Sequence, residues 1–265
     1  VKNGAFAHIF TVLFAVFMLA PIGVVVAVSF TAEGFLEFPP STLSLRWYWA
    51  ILDNPDFIDA FIVSLKLGFV SALLATVLTV PAGLAIGRGR FRGRDALQAL
   101  FLSPLTVPTV VLGISFLRFL SLFGMNGTFI GLAVCHAVII IPFVLRLVLA
   151  SVTGMDPSIE KAAVSLGASP WTVFRRVTLP AITPGVVGGF VLAFITSFDE
   201  LTVSIFIVNP STTTLPVRLF SHIAQTTDPL VASVSTVAIL FTVVVMLIVD
   251  RLYGLDRLLI GEGKR

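Results

Sequence analysis

The sequence predicts an all-α polytopic membrane protein with six transmembrane helices. Three observations carry that expectation. Of 265 residues, 57% are hydrophobic and 12% charged, against about 25% charged in a soluble domain. The apolar residues, with a mean hydropathy of +1.06, fall into long runs of about 20 residues or more, enough for a helix to cross a hydrocarbon core of about 30 Å. The basic residues cluster beside those runs, as cytoplasmic flanks do. The same features argue against other classes. A formal net charge of +3 is weak support for nucleic-acid binding, and the one cysteine, Cys135, lies in an apolar run and excludes a disulfide framework. There is no GxxxxGK[ST] phosphate loop, no HExxH and no Ser-His-Asp arrangement. No catalytic residue, metal site or cofactor is therefore expected in this chain.

The spans are expected at residues 9–30, 58–86, 96–120, 128–150, 181–208 and 230–249, with both termini cytoplasmic. The first is read as a retained span, because no small-residue cleavage pattern follows it. Residues 31–57 form a polar outer loop with an aromatic cluster, Trp47-Tyr48-Trp49, read as an interfacial belt or a partner contact. Lys66 in the second span snorkels or faces the bundle interior. Arg88, Arg90, Arg92 and Arg94 follow that span and place its end in the cytoplasm, in a loop loosened by Gly87, Gly89 and Gly93. Pro104 and Pro108 make the third span an irregular helix, tolerable only inside protein or beside a cavity. That makes it a candidate wall of a translocation path. His136 in the fourth span is either a satisfied bundle histidine or a pore-lining group.

Asp199 and Glu200 stand out in the fifth span, because adjacent carboxylates in an apolar span are costly. Asp199 is eighteen residues from the start of that span, about 27 Å along a helix and near the outer side of the bilayer core. The pair either meets a cation, forms an ion pair with Lys66 or Arg118, or marks a solvated helix break. Beyond it, residues 215–223 are expected to form a short interfacial helix with His222 exposed.

Between the fourth and fifth spans lies MDPSIEKAAVSLGASPWTVFRRVTLPAITPG, residues 155–185. Asp156 and Pro157 are helix-start signals. Ile159, Ala162, Ala163 and Leu166 recur at helical spacing, and Gly167 suits a left-handed helix end. Ser169-Pro170 begins a second helix with Trp171, Phe174 and Val177 on one stripe, Arg175 and Arg176 near its end, and a break at Leu179-Pro180. A helix-turn-helix between spans either rests on lipid headgroups or docks its apolar side chains in a groove of a soluble partner.

Ala162-Ala163, then Gly167, then Leu179-Pro180 resembles the EAA loop of ABC-importer membrane subunits. The family's usual Glu before the two alanines is replaced by Lys161, with Glu160 one residue earlier. FDELTVSIFIVNPSTTTLPVRLFSHI, residues 198–223, together with Pro39-Pro40 and Arg46-Trp47-Tyr48, resembles the spermidine/putrescine permeases of that group. The resemblance implies a type I (MetI-like) permease in a bacterial inner membrane, one domain over residues 1–265 with a coupling-helix loop at 151–180. It implies an ATP-binding cassette ATPase dimer that carries the ATP and Mg, a second and different permease subunit, and an extracytoplasmic solute-binding protein. Glu160, Lys161, Ala162, Ala163, Gly167, Trp171, Arg175, Arg176 and Pro180 would then couple to the ATPase. Asp199, Glu200, His136, Pro104 and Pro108 would be candidates for the path, polyamines being the expected cargo. Relatives for ferric iron, sulfate or other anions share the architecture. The rival classes are a secondary transporter or channel working without an ATPase, and an integral membrane enzyme.

Overall fold

The computed structural model describes residues 4–253. The basic residues Lys2, Arg257, Lys264 and Arg265, expected to flank the first and last spans, lie outside them, as does Asp256. In chain order the helices are α1 Gly4–Val28, α2 Arg46–Leu52, α3 Pro55–Arg88, α4 Arg94–Leu102, α5 Thr109–Leu122, α6 Phe129–Gly154, α7 Pro157–Ser165, α8 Pro170–Val173, α9 Leu179–Phe198, α10 Ser204–Ile207, α11 Leu215–Ile223 and α12 Leu230–Tyr253. Among the described residues the β-structure consists of the isolated bridge Thr31–Leu43. Among the described residues, five helices are long and apolar enough to cross a membrane, six if the bent α4–α5 pair is one span.

The third span differs most from the straight-helix expectation. α4 and α5 are separated by a 3-10 turn, Ser103–Thr106, and bent by 104°. Pro104 sits in that turn, and Pro108 stands just before α5 with an extended ψ of 132°. Each proline removes a helical donor and clashes with the preceding turn. Two of them four residues apart turn a kink into a corner.

The fifth span departs in the opposite sense. Pro180 was expected to break the helix, yet residues from Pro170 to Phe198 run on as one helix. A π turn at Phe174–Thr178 lies between α8 and α9. The wider i→i+5 turn makes room for the ring of Pro180, which lacks an N–H to donate. The helix then ends at Phe198, with Asp199 as its C-cap, ten residues before the expected limit of that span.

The described chain divides into two compact units. The first comprises residues up to 59 and 218–243. Here the outer loop is tied down by its own side chains: Tyr48 Oη lies 2.7 Å from Ser29 Oγ, and the Trp47 indole donates to the Glu33 carbonyl at 3.1 Å. Arg46 lies 4.7 Å over the Trp47 ring and donates to the Ala32 carbonyl at 2.7 Å. Two members of the aromatic cluster are thus loop-packing groups, while Trp49 is exposed. Arg218 pairs with Asp56. His222, expected to be exposed, is mostly covered: its Nε2 meets the Asp228 carboxylate at 3.1 Å and its ring stands edge-on to Phe57.

The second unit comprises residues 60–217 and 244 onward, and holds a core of Leu67, Ala72, Leu132, Ile140, Val144, Val148, Ile182 and Ala193. Its tightest seam joins α6 and α9. A Cβ at Gly189 would lie 3.2 Å from the Val144 Cα, and one at Gly185 would collide with Ser151 and the Leu147 carbonyl. Small residues here let two helix backbones touch, as the sequence anticipates. Where α3 meets α6 the glycines instead receive side chains: a Cβ at Gly83 would lie 2.6 Å from Val148 Cγ1 and one at Gly87 2.5 Å from Val152 Cγ1.

Candidate functional site

The helix-turn-helix forms as its caps dictate. The Asp156 carboxylate accepts from Ser158 N at 2.8 Å, with Pro157 opening α7. Hydrogen bonds from the Ser158 hydroxyl and backbone hold this exposed carboxyl below its ordinary value. Gly167 closes α7 with φ of +85°. Ala168 N reaches back to the Ala163 carbonyl at 3.1 Å, the six-residue closure of a glycine-ended helix. Ser169 then accepts from Thr172 N to start α8.

This element displays apolar side chains. Ile159, Val164 and Trp171 are more than half exposed and Leu166 is 89% exposed, while Lys161, Ala162, Gly167, Arg175, Arg176 and Pro180 are also on the surface. An amphipathic pair of helices that leaves its large apolar groups uncovered has the form of a docking element.

Glu160 behaves differently from its neighbours. Its carboxylate accepts from the Thr178 hydroxyl and pairs with Arg88. Burial would raise its carboxyl, but the bonds from Thr178 and Arg88 and the guanidinium charge outweigh burial and hold it below the usual 4.5. Lys161, at the position where the resembled loop carries Glu, points out. The sequence contains no local signal for the Arg88–Glu160 contact, because its partners are 72 residues apart.

The other group of candidates gathers near the C-terminal end of α9. Asp199 is exposed and terminates the helix. Glu200 acts as a cap for the following turn: its carboxylate accepts from Val203 N at 2.8 Å and Ser204 N at 3.0 Å. The two carboxylates therefore occupy a helix break instead of the interior of a span. His136 is fully buried, with Nδ1 2.8 Å from Ser197 Oγ and Nε2 2.9 Å from Ser204 Oγ. It ties α6 to the end of α9 and to α10, and is closed off from the surface. The serines that satisfy it, 61 and 68 residues away, were not singled out from sequence. Pro104 and Pro108 form the α4–α5 corner, in elements separate from those that carry His136 and the carboxylates.

Known proteins place this geometry. The family described as binding-protein-dependent transport system inner membrane component matches residues 79–255. The spermidine/putrescine transport system permease protein PotC of Escherichia coli K12 is 30% identical over 241 residues, 91% of this chain and 90% of that protein. The putative 2-aminoethylphosphonate transport system permease protein PhnV of Salmonella paratyphi A is 32% identical, covering 91% of each. Among solved structures, a bacterial ABC transporter that imports alginate superposes with a TM-score of 0.73 at 17% identity, covering 94% of this chain and 97% of that one. The MetNI methionine ABC transporter gives 0.61 at 20% identity, covering 80% and 98%. At such identities the structural likeness speaks to the fold. The chain belongs to the binding-protein-dependent transport system inner membrane components, and is a multi-pass inner-membrane permease subunit of an ABC importer.

Proposed function

We propose that this permease carries small organic cations bearing primary ammonium groups, polyamines such as spermidine or putrescine foremost. The observation that supports this most is the similarity to PotC over nine-tenths of both chains, joined by 31% identity to the putrescine permease PotI. The exposed carboxylate of Asp199 suits such a cargo, since an ammonium group meeting it gains a charge-assisted hydrogen bond. Glu200, engaged as a cap, contributes negative field at the same end.

In this reading the chain forms half of the path, beside a related but different permease subunit, and receives substrate from an extracytoplasmic binding protein. Ile159, Leu166 and Trp171, with the surface formed by Lys161, Ala162, Ala163, Arg175, Arg176 and Pro180, dock in the ATPase dimer that holds ATP and Mg. ATP binding there biases the permease between two orientations.

The similarity to PhnV supports a second reading, an aminophosphonate cargo. Both cargoes carry a primary amine, and they differ in the anionic group. Uptake by vesicles holding the full complex, with radiolabelled putrescine, spermidine and 2-aminoethylphosphonate in separate assays, decides between them. ATP-dependent uptake of either polyamine supports the first reading. Uptake of the phosphonate alone overturns it.

A further inference from the structure

The docking loop could hang from the membrane helices by its two chain connections alone, α6 on one side and the α8–α9 helix on the other. It has a third attachment. Arg88 is the last residue of α3. Its guanidinium pairs with Glu160 of α7, and its other terminal nitrogen lies 3.3 Å from the sulfur of Met155, the residue that ends α6. Glu160 in turn accepts from Thr178, which is 3% exposed and closes the π turn ahead of α9.

One ion pair therefore gathers the ends of α3 and α6, the docking helix α7, and the root of α9. The helices it joins are also closely packed at glycines. Gly83 and Gly87 seat α3 against Val148 and Val152 of α6, and Gly185 and Gly189 seat α9 against Val144, Leu147 and Ser151 of the same helix. Such seams resist shear, since each glycine is packed directly against the neighbouring backbone or against a short or β-branched side chain with little freedom to give way. Arg88 also stands at a helix C-terminus, where the helix dipole favours a cation.

We propose that Arg88, through Glu160, is a positioning residue for energy coupling: it carries movement of the docking loop into α3, so that α3, α6 and α9 move as one block. The proposal rests on the reading of the loop as the ATPase-docking element and adds to it a route. It also gives Glu160 a role distinct from contact with the ATPase. The carboxylate faces inward, and the outward side of α7 is left to Ile159, Lys161 and Ala162.

The test uses the full complex of two permeases, ATPase dimer and binding protein in lipid vesicles. It measures co-purification of the ATPase, binding-protein-stimulated ATP hydrolysis, and substrate taken up per ATP hydrolysed. Arg88→Gln is expected to retain the ATPase and lower uptake per ATP by about fivefold. Arg88→Lys, which keeps the charge, restores most of the ratio, as does the exchanged pair Arg88→Glu with Glu160→Arg. A wild-type ratio in Arg88→Gln overturns the proposal. So does loss of the ATPase from that variant, which would make the ion pair a structural support of the docking surface. A wild-type complex with no ATP-dependent uptake of any cargo would overturn the importer reading itself, a failure visible before any variant is made.

Discussion

The two ends of α9, twenty residues or about 30 Å apart, solve the same problem in opposite ways. Each end places a glutamate beside a change of helical geometry. At the N-terminal end Glu160 reaches from another helix and joins Thr178 and Arg88. Its bonds are long-range, so they bind elements together. At the C-terminal end Glu200 turns back on its own segment and caps α10. Its bonds are local, so they shape a break and leave Asp199 exposed beside it. The first arrangement suits transmission of force. The second suits presentation of a charge.

The largest effect is expected from Gly167→Val. Nothing lies within 4 Å of a Cβ there, so crowding is not the cost. The φ of +85° is: a left-handed residue with a branched side chain costs about 1–2 kcal/mol, and refolding of that turn redirects Leu166 and Trp171. Uptake should fall to background while the protein still inserts. Normal ATP-dependent uptake would remove the loop from the coupling route.

Asp199→Asn comes next. If the exposed carboxylate meets the ammonium group, KM for a polyamine should rise about tenfold, equal to about 1.4 kcal/mol, with ATPase coupling intact. Glu200→Gln should instead weaken the cap by about 1 kcal/mol and lower thermal stability more than it changes KM. Identical profiles for the two variants would erase the distinction between them.

His136→Leu sharpens the contrast further. It strips Ser197 and Ser204 of their partner inside the core, at about 2 kcal/mol or a melting-temperature loss of about 5 °C. Substrate preference should not change. A variant with wild-type stability and altered selectivity would return His136 to the path.

The smallest effect is in pH. The folded-state pKa of Glu160 is depressed, so its contribution is complete above the ordinary glutamate value of 4.5 and is lost as pH falls through the folded value. Between neutral pH and about 6 the pair contributes in full, so it should add no pH dependence to the melting temperature there. Below 4.5 the wild type should lose stability that Glu160→Gln lacks throughout. Parallel melting curves for the two proteins at all pH values would show the pair to be energetically silent.

Much of this was legible in the chain. Hydrophobic run length is a local property, so the number and approximate positions of the spans follow from composition and spacing. Cap chemistry is local as well: Asp156, Pro157, Gly167 and Ser169 each do in the structure what their residue type favours, and residues 215–223 form the short helix their pattern suggests. The EAA-like spacing led to the family because a docking helix needs small and apolar residues at fixed intervals.

What only the tertiary structure decided were the matters that depend on distant partners. Two prolines in the third span produced a 104° corner, and one proline in the fifth was absorbed in a π turn, since the cost of a lost hydrogen bond depends on what surrounds it. His222 became covered because Asp228 and Phe57 face it. Asp199 and Glu200 came to lie at a break, where adjacent charges are cheaper than in an unbroken span. Arg88, read in the sequence only as a topological charge, met Glu160 because α3 and α6 pack through glycines. Periodicity and capping act over one or two turns of chain and can be read from it. An ion pair across 72 residues exists only once the helices that carry it have found each other.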